Sequence, residues 1–202
     1  MASLITVRET PLVGVVWVEP VVHADDRGLF LETYRQDRYR EAGIDLAFVQ
    51  DNHSRSRKGV LRGFHYQDLS APMAKLVRCV SGVIQDVVVD LRVGSPTFGK
   101  TFSAQLSGDN HLQLLVPVGF GHAFLALSEA ADVEYKCSGY YDPAAEHTIA
   151  WNDPEIAAPW PTRTPIVSSK DARGMTLAEY RARPAFRAPT LPSPASGGGK
   201  LD

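Results

Sequence analysis

Three side chains of different chemistry, His65, Lys75 and Tyr135, occur in segments where polar and apolar residues alternate. Removing a proton from a carbon next to a ketone needs a base that titrates near neutral pH and a cation or donor at the oxygen where negative charge develops. Inversion at that carbon also needs an acid on the opposite face. An imidazole, an ammonium group and a phenol can fill these three roles. Each residue alone is more simply explained as structural, so the hypothesis depends on their occurring together.

The segments that carry these residues have the two-residue period of half-buried strands. Val133, Tyr135 and Cys137 share one face of such a segment, which predicts that Tyr135 points inward. Lys75 falls on the same face as Val77, an unusual place for an ammonium group without a partner or a function. Further strand-like segments, separated by turn sequences, are 15–22, 29–34, 60–66, 83–91, 98–106 and 112–118.

Many short strands with turn signals about every 8 to 12 residues predict an all-β sandwich or barrel. Helix is minor in this prediction: residues 36–42 precede a glycine typical of a helix end, and Thr176 with Glu179 forms a capping box near the C-terminus. We expect one domain over residues 1–187. The Pro-, Ser- and Gly-rich residues 188–202 are expected to form a flexible tail.

Composition excludes several classes of protein. The chain has 202 residues, 44% of them hydrophobic, which is enough for a sizeable core and excludes a wholly disordered chain. Its 21 basic and 23 acidic residues are nearly balanced, which argues against a nucleic-acid-binding protein. No apolar segment is long enough to span a membrane, and the N-terminal residues do not resemble a secretory signal. The two cysteines, Cys79 and Cys137, are 58 positions apart, so we expect no disulfide scaffold and a cytoplasmic protein.

Two histidine motifs resemble the halves of the cupin signature. They are Gly59-Val-Leu-Arg-Gly-Phe-His65 and Pro117-Val-Gly-Phe-Gly-His122. Metal-binding cupins have a second histidine where this chain has Gln67, and a later glutamate that is absent here. The sequence therefore favours a cupin without a metal; a metal site would have to recruit His53 or His147. Phosphate-loop and dinucleotide-binding fingerprints are also absent.

Longer motifs resemble the dTDP-4-dehydrorhamnose 3,5-epimerase family over residues 15–173. They include Phe48-Val-Gln50-Asp51-Asn52-His53-Ser54, Lys58-Gly-Val-Leu-Arg62-Gly63-Phe64-His65-Tyr66-Gln67, Gly119-Phe-Gly-His122 and Trp151-Asn152-Asp153-Pro154. The resemblance implies an all-β, cupin-like jelly roll (a double-stranded β-helix) with a few short helices. It also implies a homodimer that uses no cofactor and no metal, binds a dTDP-linked 4-keto-6-deoxyhexose and epimerises it at C3 and C5.

The same resemblance assigns roles to individual residues. His65 is implied to be the base, Asp171 the carboxylate paired with it, Lys75 the cation near the C4 oxygen, and Tyr135 the acid that returns a proton from the other face. Implied substrate-binding residues are Arg27, Glu32, Gln50, Asn52, Arg62, His122, Tyr141, Glu146 and Lys170. Arg27 and Glu32 are candidates for residues supplied by the neighbouring subunit.

The sequence departs from the family pattern near the expected sugar end of the site. Met73 and Ala74 stand before Lys75 where Gln-x is usual, and Cys137, Ser138 and Gly139 replace Thr-Thr-Asp. These departures leave a single-site epimerase, acting at C3 or C5 alone, as an alternative. A catalytically silent sugar-nucleotide-binding cupin and a metal-dependent cupin are further alternatives.

Overall fold

The structure, a computed structural model, describes residues 5–188. Thirteen strands are defined in this range, together with two short α-helices and one 3-10 turn. All the pairings between these strands are antiparallel, and most strands belong to two sheets that face each other. The predicted all-β jelly-roll class is therefore confirmed. No helix in residues 5–188 is both long enough and apolar enough to cross a membrane.

The first sheet has six strands. In spatial order they are β1 (Ile5–Glu9), β2 (Val16–Pro20), β10 (Gln113–Val116), β7 (Lys75–Ser81), β12 (Ala130–Cys137) and β5 (Gln50–Arg57). The second sheet has five, in the order β13 (Glu146–Thr148), β6 (Leu61–Gln67), β11 (Phe120–Ala126), β8 (Val83–Asp90) and β9 (Thr101–Ser107). A separate hairpin joins β3 (Val22–Asp25) to β4 (Gly28–Leu31).

Apolar side chains from both sheets fill the space between them. Val77 of β7 and Val133 of β12 meet Ile84 and Val88 of β8 and Phe124 of β11 in one buried cluster. On β7 and β12 the residues that continue the inward face beyond this cluster are polar or ionisable. The two sheets thus form a cup with an apolar floor and a polar mouth.

Two further clusters cover the outer faces of the sheets. Helix α1 (Gln36–Glu41) packs its buried Tyr39 against the first sheet. Helix α2 (Leu177–Ala182) packs Leu177 and Tyr180 against the second. Thr176 and Glu179 form the predicted capping box at the start of α2, with each side chain bound to the other's backbone N–H. These coverings hold the C-terminal segment, which includes Asp171, close to the second sheet.

Three strands differ most from the sequence prediction. Strand β5 (sequence QDNHSRSR) has no apolar residues, so it offers no apolar alternation to detect. Strand β11 is buried on both faces and therefore has no polar alternation. Strand β13 has only three residues. The predicted tail falls mainly on residues 189–202, which lie outside the described residues; Ala188 itself donates its N–H to Val93.

Candidate active site

His65 and Asp171 form a close pair at the mouth of the cup. His65 lies on β6, and Asp171 begins a 3-10 turn, Asp171–Arg173. Nε2 of His65 is 2.5 Å from Oδ1 of Asp171. The Asp171 side chain is almost fully buried, whereas the imidazole is 22% exposed and can be reached from the cup. Burial opposes ionisation of Asp171, but the hydrogen bond from His65 holds the pKa of this carboxyl below its usual value.

Gly63 allows β6 to approach β11 closely at this point. Its φ is +116°, in the left-handed region that favours glycine, and a Cβ there would lie 2.4 Å from the carbonyl oxygen of His122. The two strands place His65 directly opposite His122. His122 is buried and bonds through Nε2 to Oδ2 of Asp86 at 2.7 Å. The cup therefore contains a second imidazole–carboxylate pair beside the first.

Lys75 and Tyr135 lie on the sheet opposite to that of His65. Glu146 acts electrostatically on all three side chains. Nζ of Lys75 lies 5.7 Å from the centre of the Tyr135 ring. Burial lowers the pKa of Lys75, against the opposing effects of Cys137, Glu146 and Asp86. Burial also raises the pKa of Tyr135, so this phenol holds its proton at neutral pH. The predicted inward direction of Tyr135 agrees with its packing against the core cluster.

A chain of hydrogen bonds runs along the rim formed by β12, β5 and the following loop. Asn52 donates to Sγ of Cys137 at 3.5 Å, Gln50 donates to Oδ1 of Asn52 at 3.0 Å, and the Tyr141 N–H donates to Oε1 of Gln50 at 3.0 Å. Asn52, which pairs with Tyr135 across the two strands, partly offsets the effect of burial on the pKa of that phenol. The rim residues thus hold one another in place beside the Tyr135 phenol.

Glu146 joins the rim to the segment that carries Asp171. Its Oε2 accepts from the Tyr141 hydroxyl at 2.8 Å and from Nζ of Lys170 at 2.7 Å. These bonds hold the pKa of Glu146 below its usual value although burial acts in the opposite direction. Lys170 precedes Asp171 in the chain, so the rim and the His65–Asp171 pair are tied together.

Arg62 lies at the seam between the two sheets. Its Nε donates to Oγ of Ser56 at 3.0 Å, and its Nη2 to the carbonyl of Arg55 at 3.4 Å. The guanidinium also acts electrostatically on Tyr135. Arg62 therefore stands beside the phenol at the edge of the cup.

Comparisons with known proteins identify the family of this chain. The family model described as dTDP-4-dehydrorhamnose 3,5-epimerase matches residues 9–179. This chain belongs to that epimerase family. A dTDP-4-dehydrorhamnose 3,5-epimerase of Neisseria gonorrhoeae is 49% identical over 85% of this chain, which spans only 52% of that relative.

Two other relatives of the epimerase match along nearly their whole length. A dTDP-4-dehydrorhamnose 3-epimerase of Streptomyces niveus is 44% identical, over 94% of this chain and 95% of that protein. The crystal structure of dTDP-6-deoxy-D-glucose-3,5-epimerase from Legionella pneumophila, in complex with dTDP-4-keto-L-rhamnose, superimposes with a TM-score of 0.87 and 42% identity. The match covers 91% of this chain and 98% of the Legionella pneumophila chain.

Two of the expected substrate-binding residues lie apart from the other site residues of the epimerase. Arg27 is at the turn of the β3–β4 hairpin, 90% exposed, and its guanidinium is paired with Asp25 at 2.6 Å. Glu32 follows the hairpin and bonds Arg38 at 2.7 Å. The other predicted site residues, from both sheets and from the segment around Asp171, line the cup or its rim.

Sequence reasoning missed two residues that the structure places at this candidate site. Asp86 occupies an inward position between apolar neighbours on β8, and this acidic interruption of an apolar face was the signal that could have found it. Cys137 was noted only as a departure from the family pattern, yet it is fully buried and bonded to Asn52. Burial raises the pKa of its thiol, which is therefore neutral at pH 7.

Within residues 5–188 no three side chains of His, Cys, Asp or Glu are grouped so that they could hold a metal ion. His53 and His147, the residues that a metal site would have to recruit, have other partners. His53 bonds Asp132 at 3.0 Å on the outer face of the first sheet, and His147 bonds Asp68 at 3.0 Å.

Proposed function

We propose that this epimerase converts dTDP-4-dehydro-6-deoxy-D-glucose to dTDP-4-dehydro-L-rhamnose by inverting C3 and C5. The observation that supports the proposal is a His65–Asp171 pair on one sheet and a Lys75–Tyr135 contact on the facing sheet, with Glu146 acting electrostatically on His65, Lys75 and Tyr135. A base, a cation and a protonated acid in one site are the groups that proton transfer next to a ketone requires.

His65 takes the proton from the carbon next to the C4 ketone. The electron pair of the broken C–H bond forms the enolate, whose negative oxygen is stabilised by the Lys75 ammonium. Asp171 holds the imidazole ring in one orientation and one tautomer and stabilises the imidazolium that forms. The hydrogen bond to Asp171 thus already orients the imidazole of His65 for proton abstraction.

Tyr135 returns a proton to the same carbon from the opposite face. It is on the first sheet and His65 is on the second, so a sugar between the sheets is approached from two sides. The phenol keeps its proton until the enolate forms, because burial raises its pKa. Exchange with water then returns a proton to Tyr135 and removes one from His65.

The rim supports a role in binding the nucleotide. Tyr141 offers an aromatic ring and Lys170 a positive charge, each fixed by Glu146. Gln50, Asn52, Arg62 and His122 add hydrogen-bonding groups closer to the sugar. We assign the diphosphate and the nucleobase of the substrate to the rim, and the hexose to the cup. The charged groups of the rim suit a diphosphate, and its aromatic ring suits a nucleobase.

We further propose a homodimer in which the hairpin of one subunit reaches the cup of the other. Arg27 is too exposed to serve a cup in its own subunit, and the hairpin also exposes Leu29 and Phe30 by 54% and 70%. Exposed apolar residues beside an exposed guanidinium fit a contact with a second copy of the chain. Glu32 follows the same hairpin and would therefore reach the partner's cup together with Arg27.

We also place the epimerase in the cytoplasm. Cys79 and Cys137 are both unpaired and buried. A reducing compartment keeps such thiols in this form.

Epimerisation at C3 alone is the second candidate. The Streptomyces niveus relative is named a 3-epimerase. Cys137, next to Lys75 in the pairing of β12 with β7, lies among the departures from the family pattern at the sugar end. A change there can alter which carbon is presented to His65 and Tyr135.

Deuterium labelling tests the proposal. The enzyme is incubated with dTDP-4-dehydro-6-deoxy-D-glucose in deuterated water, and label at C3 and C5 is read by NMR. Label at both carbons and an L-configured product support the double epimerase, whereas label at C3 alone supports the second candidate. The His65→Asn variant should show no exchange. Absence of exchange with the parent enzyme would refute both, and near-normal turnover of His65→Asn would refute the assigned base.

A further inference from the structure

Asp86 is an acidic residue that lies between two apolar core residues on one face of its strand. It lies on β8 between Ile84 and Val88, which belong to the core cluster, and its side chain is completely buried. Oδ2 bonds His122, but within residues 5–188 the other oxygen, Oδ1, has no hydrogen-bond partner. A buried carboxylate oxygen without a partner is unfavourable unless a positive charge is near.

Lys75 is a half-buried cation that lacks a charged partner among residues 5–188. In the described part of the chain its Nζ makes no hydrogen bond and no ion pair, and only the Tyr135 ring lies over it. Burial, which disfavours the charged form, lowers the pKa of Lys75. Three acidic groups act against this effect: Cys137, Glu146 and Asp86.

Of these three groups, Asp86 is best able to stabilise the ammonium. Cys137 is a neutral thiol at pH 7, because burial raises its pKa. Glu146 is already bound by Lys170 and Tyr141. Asp86 has an oxygen that no other described group uses.

We propose that Asp86 is a positioning residue for Lys75: its free oxygen supplies the negative charge that keeps the ammonium protonated and directed into the cup, while His122 holds the carboxyl group in place. This inference rests on the proposed function, in which Lys75 stabilises the enolate. The titratable and charged groups around Lys75 are Tyr135 and Cys137 on β12, Glu146 on β13, Asp86 on β8, and Lys170.

Asp90 provides a matched control on the same strand. It is also completely buried, but both of its oxygens are occupied. Oδ1 accepts from the backbone and Nε of Arg92, and Oδ2 accepts from Nη2 of Arg92, Ser95 and Thr97. Asp90→Asn should therefore weaken the fold without changing the charge state of Lys75.

The test measures the protonation of Lys75 directly and through activity. The chain has six lysines, so ¹³C-lysine labelling gives a simple NMR spectrum in which Lys75 is assigned by its loss in Lys75→Arg. Asp86→Asn should lower the pH at which Lys75 titrates by about one unit or more. The alkaline limb of the pH profile for C–H exchange should move down by the same amount, and neither should move in Asp90→Asn.

Each outcome decides the proposal. An unchanged Lys75 titration in a folded, active Asp86→Asn enzyme would overturn it and leave the proposed function standing. A parent enzyme without exchange would refute the proposed function instead, while the NMR titration would still report on Asp86. If Asp86→Asn does not fold, Asp86→Ser, with space for a water beside His122, is titrated in its place. A neutral Lys75 amine in the parent protein at pH 7 would overturn the proposal without any variant.

Discussion

Nε2 of His65 lies 2.5 Å from Oδ1 of Asp171, although 106 positions separate the two residues in the chain. One belongs to the second sheet and the other to a short turn that is held in place by the C-terminal packing. The turn is held near the second sheet by its bond to Ser168, by the bridge between Ile149 and Met175, and by the packing of α2. Contacts of the C-terminal segment outside the cup therefore help to place the partner of the proposed base.

Asp171→Asn should reduce the rate of C–H exchange by about 100-fold or more, because the amide cannot stabilise an imidazolium as a carboxylate does. Exchange is measured at C3 and C5 in deuterated water. Asp45→Asn, an exposed residue paired with Arg40 at the surface, is the control and should retain the parent rate. Equal rates in parent and Asp171→Asn would show that the pair is structural.

Acid stability should depend on the same pair. The pKa of Asp171 is lower in the folded protein than its usual value, so ionisation stabilises the fold above the titration range of an unfolded Asp. This stabilisation is lost as the pH falls through the folded pKa. Urea unfolding at several pH values below about 5 should give a steeper loss of unfolding free energy in the parent than in Asp171→Asn. An equal loss of unfolding free energy with falling pH in both proteins would contradict this expectation.

Tyr135→Phe should slow formation of the inverted product by at least about 100-fold, while His65 still removes protons. The variant can lose label from C3 or C5 and regain it on the same face without inversion. Comparing deuterium washout with product formation separates the two steps. A variant that slows both steps equally would indicate that Tyr135 does not act as the acid.

Lys75→Met should inactivate the enzyme, because the enolate loses the cation that stabilises its oxygen. The variant also removes the free-energy cost of holding the charged lysine in the folded protein. The pKa of Lys75 is lowered by burial, so its penalty is complete below the folded pKa and disappears as the pH rises towards the value of an unfolded lysine. The unfolding free energy of the parent should therefore rise in that range relative to that of Lys75→Met. Lys100→Met, at an exposed position, is the control and should show no such dependence.

Arg27→Ala and His65→Asn should complement each other if Arg27 serves the partner's cup. Each variant alone is expected to be inactive. Co-refolding equal amounts should restore about a quarter of the parent activity, because half of the dimers are mixed and each mixed dimer has one intact site. No recovery, with mixed dimers shown by mass spectrometry, would place Arg27 in its own subunit's site.

Local sequence patterns determined several features by themselves. Alternation in β12 predicts that Tyr135 faces inward, because successive side chains of a strand point to opposite faces. The capping box predicts the start of α2, since it depends only on residues three apart. The motifs around His65 and His122 identified the family, because their residue types and spacing are specific to it.

Tertiary structure alone decided which of these residues meet. The fully polar β5 forms part of the cup because it pairs with β12, a contact that no local pattern encodes. Asp86 and His122 become partners, and Arg27 and Glu32 lie apart from the cup, for the same reason. The alternation of side chains along a strand and the capping of a helix depend on residues only a few positions apart. A site between two sheets depends on contacts between distant segments, and these form only when the whole core packs.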